Sequence, residues 1–417
     1  MNALPIGWAT ARIPDLADIL DSRRVPVNRT ERAKRPGSVP YYGATGQVGW
    51  IDKPLFDEEL CLLGEDGAPF LERDKPKAYL IDGPAWVNNH AHVLRAVAPL
   101  TSNRFLKYAL DWSDYDPFVN GTTRLKLTKG ALSRMEVPVP PLNEQRRIVV
   151  AIEEQFSRLD AGDELLLNTE ARLDTLRRVT VTKAVAGYPP TPLGDMVNSV
   201  RYGTSVKCLA DAQGPPVLRI PNIRDRKVDL TDLKFATVES GELHDCFVEE
   251  GDLLFVRTNG SRDLIGRVGV VGGSDRPAFA SYLIRARPDP SRLDSRWAAL
   301  ALSAPPLRAV IESRAATTAG QYNLNLASLR SLEVPLPPLA DQRRLVADIE
   351  RVESVIEAMS EAIERARRRS ASLRRAILEG AFRGELVPQD PSEEPAAALL
   401  ERIGGERPQV RHRRVRT

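Results

Sequence analysis

His90 and His92 stand two residues apart. On a strand both would face one side, and two imidazoles on one face are the beginning of a metal site. No third ligand stands at a recognisable spacing. The three cysteines, Cys61, Cys208 and Cys246, form no CxxC pair. Glu65 and Asp66 are adjacent carboxylates in a glycine-rich turn, where a solvated pair is the default. The run 43–49, Gly-Ala-Thr-Gly-Gln-Val-Gly, lacks the GxGxxG spacing of a dinucleotide fold. There is no GxxxxGK[ST] phosphate loop, no HExxH, and no Asn-Pro-Pro-Tyr or Asp-Pro-Pro-Tyr with which an amino-methyltransferase would hold its target amine. No catalytic or metal-ligating residue is assigned, and the chain reads as a binding protein rather than an enzyme.

What positions the side chains is a stretch that occurs twice. Residues 135–154 read MEVPVPPLNEQRRIVVAIEE and residues 332–351 read LEVPLPPLADQRRLVADIER, an offset of 197. Val137, Pro138, Pro140, Pro141, Leu142, Gln145, Arg146, Arg147, Val149, Ile152 and Glu153 recur as Val334, Pro335, Pro337, Pro338, Leu339, Gln342, Arg343, Arg344, Val346, Ile349 and Glu350. The prolines fix φ and remove donors, so each copy begins as extended chain that ends a globular unit. The residues after it favour helix and carry apolar side chains at helical spacing. The chain is two tandem halves, each a sheet-rich domain handing over to a long helix.

In order, residues 1–142 read as a mixed, strand-rich domain. Strands are expected in VPYYGATGQVGWI (39–51), LCLLGEDGAPF (60–70) and AWVNNHAHVLRAV (85–97), and a short helix in SNRFLKYALDW (102–112). Residues 143–187 form the first long helix, with a heptad seam through Ile152, Gln155, Leu159, Gly162, Leu166, Thr169, Leu173 and Leu176. Residues 188–339 form the second mixed domain. Strand–turn–strand patterns are expected at 215–230 and 251–271, one more strand in AFASYLIRARP, and helix in SRWAALALSAPPLRAVIESR. Residues 340–387 hold the second long helix, its seam through Ile349, Val352, Ile356, Met359, Ile363, Ala366, Ser370, Leu373 and Ile377. The two seams bury one another, or each packs on its own domain. In the tail, 388–417, a short helix precedes a basic end, Arg411–Arg416, read as a disordered, solvated terminus.

Composition limits the class. The formal net charge is +3, from 59 Lys and Arg against 56 Asp and Glu, too small to announce a nucleic-acid binder. Three unpatterned cysteines fit a reducing cytosol, no apolar run is long enough for a membrane span, and no signal pattern opens the chain, so a cytoplasmic protein is expected.

The doubled VPxPPLxxQRR stretch with its following helix resembles the specificity subunit of type I restriction-modification systems. VPYYGATGQVGWI, LLGEDGAPF, WVNNHAHVL, RIPNI and GDLLFVRTNG extend the resemblance over all but the tail. It implies an α+β chain with two mixed α/β target recognition domains, separated by two long helices that form an antiparallel coiled coil, as a pseudo-twofold tandem repeat. Each domain would read half of a split double-stranded DNA target. The helices would set the gap and hold two methyltransferase (modification) subunits, which restriction (motor-nuclease) subunits join. S-adenosylmethionine belongs to the partner methyltransferase, and no cofactor is expected in this chain. A helix of roughly 40 residues spans about 60 Å, enough to hold two reading heads about one DNA turn apart. A related system, in which the methyltransferase partner also carries the nuclease, is the alternative.

Arg and Lys fork onto guanine, Asn and Gln onto adenine. On that chemistry the DNA-contact candidates are Tyr41, Tyr42, Gly43, Thr45, Arg124 and Lys126 in the first domain. In the second they are Arg219, Asn222, Arg257, Asn259, Tyr322 and Asn323. Tyr41 and Tyr42 suit a core or cross-strand place equally well, and Asn259 before Gly260 suits a turn. Gln145, Arg146, Arg147, Gln342, Arg343 and Arg344 open the helices. Their repetition suggests a shared partner, the modification subunit, with local ion pairs as the alternative.

Overall fold

Proline decides where each domain ends. The strand Glu136–Val139 contains Pro138 and pairs antiparallel with Ala9–Arg12 near the chain start. The strand Glu333–Pro335 pairs in the same way with Pro190–Pro192. A proline lacks the N–H for a second ladder, so each is a two-stranded sheet. In each half it stitches the segment entering the domain to the segment leaving it. The computed structural model describes residues 4–318 and 320–406. They divide into two units: residues up to Leu166 together with those from Glu364 on, and Leu167–Ile363.

The long helices run Leu142–Val185 and Leu339–Phe382, each of 44 residues, about 66 Å at 1.5 Å per residue. Both bounds repeat at the 197-residue offset of the sequence. Each helix is followed by a glycine in left-handed conformation, Gly187 at φ +82° and Gly384 at φ +75°. Only glycine adopts that backbone without penalty, and it stops the helix.

Each domain is built on one strand buried on both faces. In the first it is Leu60–Gly64, lying between Ala91–Ala96 and Ala78–Ile81. Cys61 and Leu63 pack with Phe105 and Leu106 of the helix Asn103–Trp112, while Leu60 and Leu62 pack with Phe56 and Val87 of a second sheet. In the second domain it is Leu253–Val256, between Leu283–Pro288 and Val268–Val270. Leu253 and Phe255 meet Trp297 and Leu300, while Leu254 and Val256 meet Leu218 and Phe279. Burial on both faces is why ELCLLG and GDLLFV read as continuous apolar runs rather than alternating ones.

Several segments are more broken than expected. AWVNNHAHVLRAV is two strands, Pro84–Val87 and Ala91–Ala96, because Asn88 Oδ1 accepts the His90 N–H at 2.8 Å and turns the chain. AFASYLIRARP also splits, into Ala278–Phe279 and Leu283–Pro288. The helix expected through SAPPL divides into Ser295–Ser303 and Pro305–Arg314, because the residue before a proline leaves the helical region. The region 215–230 holds the strand Pro216–Leu218, a 3-10 turn, and a hairpin of Ile223–Arg224 with Lys227–Val228.

The long helices pack on each other, antiparallel within each unit. In the first unit Phe156 lies under Arg374 at 5.3 Å, and further along Asp163 accepts from Ser370 at 3.1 Å. Numbering rises on one helix as it falls on the other. In the second unit Val181 and Val185 share a core with Val346 and Ile349. The seam is shifted from the expected one. Ile349, Ile356, Ile363 and Ser370 are buried, but Leu176, Met359 and Leu373 are 47, 42 and 42% exposed. The alternate seam positions fall four residues on, at Glu353, Arg374, Phe156 and Asp163. Apolar residues chosen at a three-residue step face solvent at Leu176, Met359 and Leu373, while the polar Asp163 and Arg374 pair across the helices. Arg374 holds Asp160 and Asp163 at 2.8 and 2.9 Å.

After the second long helix the chain returns to the first domain. The helix Ala396–Glu406 places Leu399 and Ile403 against Leu100, and the Ala396 N–H reaches Gly7 O at 2.8 Å. Arg411–Arg416 lie outside the described residues. Among the described residues no helix is long and apolar enough to cross a membrane.

Candidate nucleic-acid interface

The repeated glutamines face inward. Gln145 is buried, and its amide Nε2 donates to Leu100 O and Pro140 O, both at 3.0 Å. Gln342 is buried too, and its Nε2 donates to Arg292 O and Pro337 O, both at 2.9 Å. Each glutamine ties the loop before its domain's helix to the proline-rich exit. An ion pair repeats beside each clamp, Arg104 with Glu153 at 2.7 Å and Arg296 with Glu350 at 3.6 Å. The clamps differ in one atom. Gln342 Oε1 also accepts the Asp294 N–H at 2.8 Å, whereas Gln145 Oε1 is buried without a hydrogen-bond partner.

The four repeated arginines stand at the surface with local partners. Arg146 donates to Asn143 Oδ1 at 3.0 Å, and Arg344 pairs with Asp341 at 2.8 Å. Arg147 holds Glu393 at 2.5 Å, and Arg343 lies 3.9 Å from Asp294.

In the first domain the candidates separate into a core and a surface. Tyr41 is 1% exposed, its hydroxyl donating to Val27 O at 3.0 Å and its ring lying under the Arg32 guanidinium. Tyr42 is half-buried against Tyr79, whose hydroxyl donates to Gly43 O. Thr45 is exposed, in the turn between Val39–Gly43 and Gly46–Ile51. Arg124 and Lys126 are exposed but held, Arg124 by Asp66 at 2.6 Å and Lys126 by Glu65 at 3.1 Å.

Glu65 and Asp66 are therefore not a solvated pair. Glu65 also holds Arg24 at 2.7 Å, and Asp66 accepts from His90 at 2.8 Å. His92 turns to different partners, Asp21 at 2.6 Å and Leu127 O at 2.8 Å. Burial would raise the Asp21 carboxyl, but the His92 contact, the Val93 N–H and the Arg24 charge outweigh it and hold Asp21 below the usual aspartate range. Asp21, Glu65 and His92 bring ligand atoms within 4.8 Å of one another. Arg24 at 3.4 Å from Asp21, with Lys126 on Glu65, already supplies the positive charge, so the donor set does not suit a metal ion.

In the second domain four candidates come together. The short strand Thr258–Asn259 pairs with Gln321–Asn323, setting Asn259 opposite Tyr322 and Thr258 opposite Asn323. Arg257, one residue earlier, lays its guanidinium over the Tyr202 ring at 4.2 Å and donates to Ser281 O at 3.3 Å. Asn259 closes an Asx turn, accepting the Ser261 N–H at 2.9 Å. Arg219 and Asn222 lie apart. Buried Asn222 accepts the Arg219 N–H at 2.8 Å and donates to Asp229 O and Asp232 O at 2.8 and 2.9 Å. The Arg219 side chain holds Asp232 at 3.1 Å. Tyr202 was missed by sequence reasoning, although Tyr202-Gly203 echoes Tyr42-Gly43.

The second unit also contains a groove of 1280 Å³, bordered by Arg224, Lys227 and Arg267 on one side and by Glu350, Glu353 and Glu357 of the second long helix. Its hairpin tip places Asp225 and Arg226 at φ 47° and 62°, unusual for non-glycine residues. An ion pair between Arg226 and Glu353 anchors that tip to the helix.

Comparisons with known proteins agree with this geometry. Residues 5–167 match the model of the type I restriction modification DNA specificity domain. The chain is 28% identical over 298 residues to the type I restriction enzyme EcoKI specificity subunit of Escherichia coli K12, covering 66% of this chain. The chain spans 64% of the length of that relative, and 64% of the StySPI specificity subunit of Salmonella potsdam. With the EcoBI specificity subunit of Escherichia coli it shares 24% identity over 92% of this chain and 86% of the relative. A solved chain from a type I R-M system superposes with a TM-score of 0.69 at 19% identity, covering 92% of this chain and all of that one. The HsdS subunit of Thermoanaerobacter tengcongensis gives 0.55 at 19% identity, over 92% and 98% of the two chains. These superpositions speak to the fold.

Proposed function

We propose that this chain is a specificity subunit of the type I restriction-modification family and that it reads a divided double-stranded DNA target, one domain per half-site. Members of this family assemble within restriction-modification complexes and are generally non-catalytic. In this reading the chain recruits two methyltransferase subunits and the restriction subunits through its long helices, and the methyl donor S-adenosylmethionine is bound by the methyltransferase. The observation that carries it is the pairing of a repeated frame with unrepeated surfaces. Helices, exit strands and glutamine clamps recur at one offset, while the exposed polar residues of the two domains share almost nothing. One frame with two surfaces suits one task performed on two sequences. Arg257 with Asn259 and Asn323 supplies the donors and acceptors that base edges require.

The test is an exchange. Replacing residues 1–140 with the equivalent domain of a relative should change one half of the methylated motif and leave the other. A change in both halves would refute one domain per half-site. Incubated alone with S-adenosylmethionine and genomic DNA, the pure chain should transfer no methyl group until methyltransferase subunits are added.

A further inference from the structure

Tyr282 is 56% exposed. Single exposed aromatics are ordinary, and by itself this one would mean little. Its backbone is what sets it apart. The preceding Ser281 N–H donates to Thr204 O at 2.7 Å, the Tyr282 carbonyl accepts the Arg257 N–H at 2.9 Å, and the Leu283 N–H donates to Ala280 O at 2.9 Å. Three consecutive residues are pinned, yet among the described residues the phenol forms no hydrogen bond and no ring contact. An exposed ring on a fixed backbone has only two side-chain torsions left to settle when it meets a ligand.

Its surroundings are aromatic and basic. Arg257, whose N–H binds the Tyr282 carbonyl, covers the Tyr202 ring at 4.2 Å. The Tyr202 hydroxyl is itself taken by the Leu326 N–H at 3.3 Å, so that ring is fixed. Arg262 lies 6.0 Å from the Tyr322 ring, on the strand that pairs with Asn259. Aromatic rings interleaved with arginine are the composition of surfaces on which bases stack.

We propose that Tyr282 is a stacking residue of the second domain, its ring packing on a base that is unstacked when the half-site binds. This rests on the reading of the domain as a DNA reader. Arg257 fixes the position of Tyr282 through its backbone and holds the neighbouring duplex, and Tyr282 supplies an apolar face that hydrogen-bonding candidates cannot. Stacking is indifferent to the hydroxyl, which separates it from recognition by a hydrogen bond.

The test uses the full chain, with its methyltransferase subunits, on a duplex carrying the motif found by methylation mapping. Binding by fluorescence anisotropy should weaken roughly tenfold for Tyr282→Ala and stay within about twofold of the parent for Tyr282→Phe, on the scale of one lost base stack. Scanning 2-aminopurine through the second half-site should reveal one position whose fluorescence changes on binding with the parent and Tyr282→Phe but not with Tyr282→Ala. Parent-like binding by Tyr282→Ala would overturn the assignment, as would equal loss by the Phe variant. If the parent fails to prefer its motif over a scrambled duplex, the DNA-reading function falls and this proposal with it. The residue is exposed, so both variants should unfold at the parent's temperature.

Discussion

The two domains carry their charge differently. In the first, half-buried acids hold a histidine and basic residues at the surface. Asp21 takes His92, Glu65 takes Arg24 and Lys126, and Asp66 takes Arg124. In the second, the buried acid is Asp252, which is 1% exposed and holds Arg287 through two contacts of 2.9 Å, with Arg285 at 3.9 Å. Arg257 is left outside that network and rests on an aromatic ring. Arg124 and Lys126 must leave a carboxylate before they meet a phosphate, whereas among the described residues Arg257 has no acid to leave. A repeated backbone frame therefore does not dictate a repeated electrostatic surface.

The most severe way to break the comparison is to remove the second domain's central acid. Asp252→Ala leaves Arg287 with Glu249 alone and Arg285 with only main-chain acceptors, and should cost about 3–5 kcal/mol. Glu65→Gln, at the more open site, should cost about 1–2 kcal/mol. Thermal unfolding of the two variants against the parent checks the order. The clamps come next. Gln342→Ala loses three hydrogen bonds and Gln145→Ala two, so losses of about 3 and about 2 kcal/mol are expected in denaturant titrations.

Binding effects should be smaller. Arg257→Ala should weaken binding to the motif by about 1–3 kcal/mol if it contacts a base edge. Arg124→Ala should weaken it by less than about 1 kcal/mol, since Asp66 already offsets its charge. Equal losses would remove the distinction drawn between the domains.

Acid sharpens the comparison further. The Asp21 carboxyl is held below its ordinary value, so its stabilisation is full above the unfolded aspartate pKa of about 3.9 and is lost as pH falls through the lower folded value. The stability difference between parent and Asp21→Asn should therefore shrink on acidification from about pH 6 to about pH 2. A constant difference would mean that the Asp21 carboxylate does not supply it.

Much of the frame was legible because it depends on proline, glycine and apolar runs. VPVPP and VPLPP mark the exits, and the helices begin within a residue of the boundary read from them. The double-sided strands showed as LCLL and LLFV. The seam was only partly legible, since Asp163 and Arg374 sit where a heptad reading seeks apolar residues and pair only across the two helices, while Glu353 is taken by Arg226 of the second domain. The candidate site was less legible still. Nothing local distinguishes Tyr41, sunk in the core, from Tyr42, at its margin. Nor does any local pattern foretell that Asn222 spends its amide on Asp229 O and Asp232 O, because the residues that satisfy it gather only through the fold.

The glutamine clamps have a consequence for how such a chain can change. Each donates only to main-chain carbonyls, of Leu100 and Pro140 or of Arg292 and Pro337. A carbonyl is present whatever side chain the position bears. The joint between domain and helix is thus blind to the domain's composition, provided that two loops keep their path. A reading surface can be rewritten by mutation, or an entire domain imported by recombination, and still seat on the old helix.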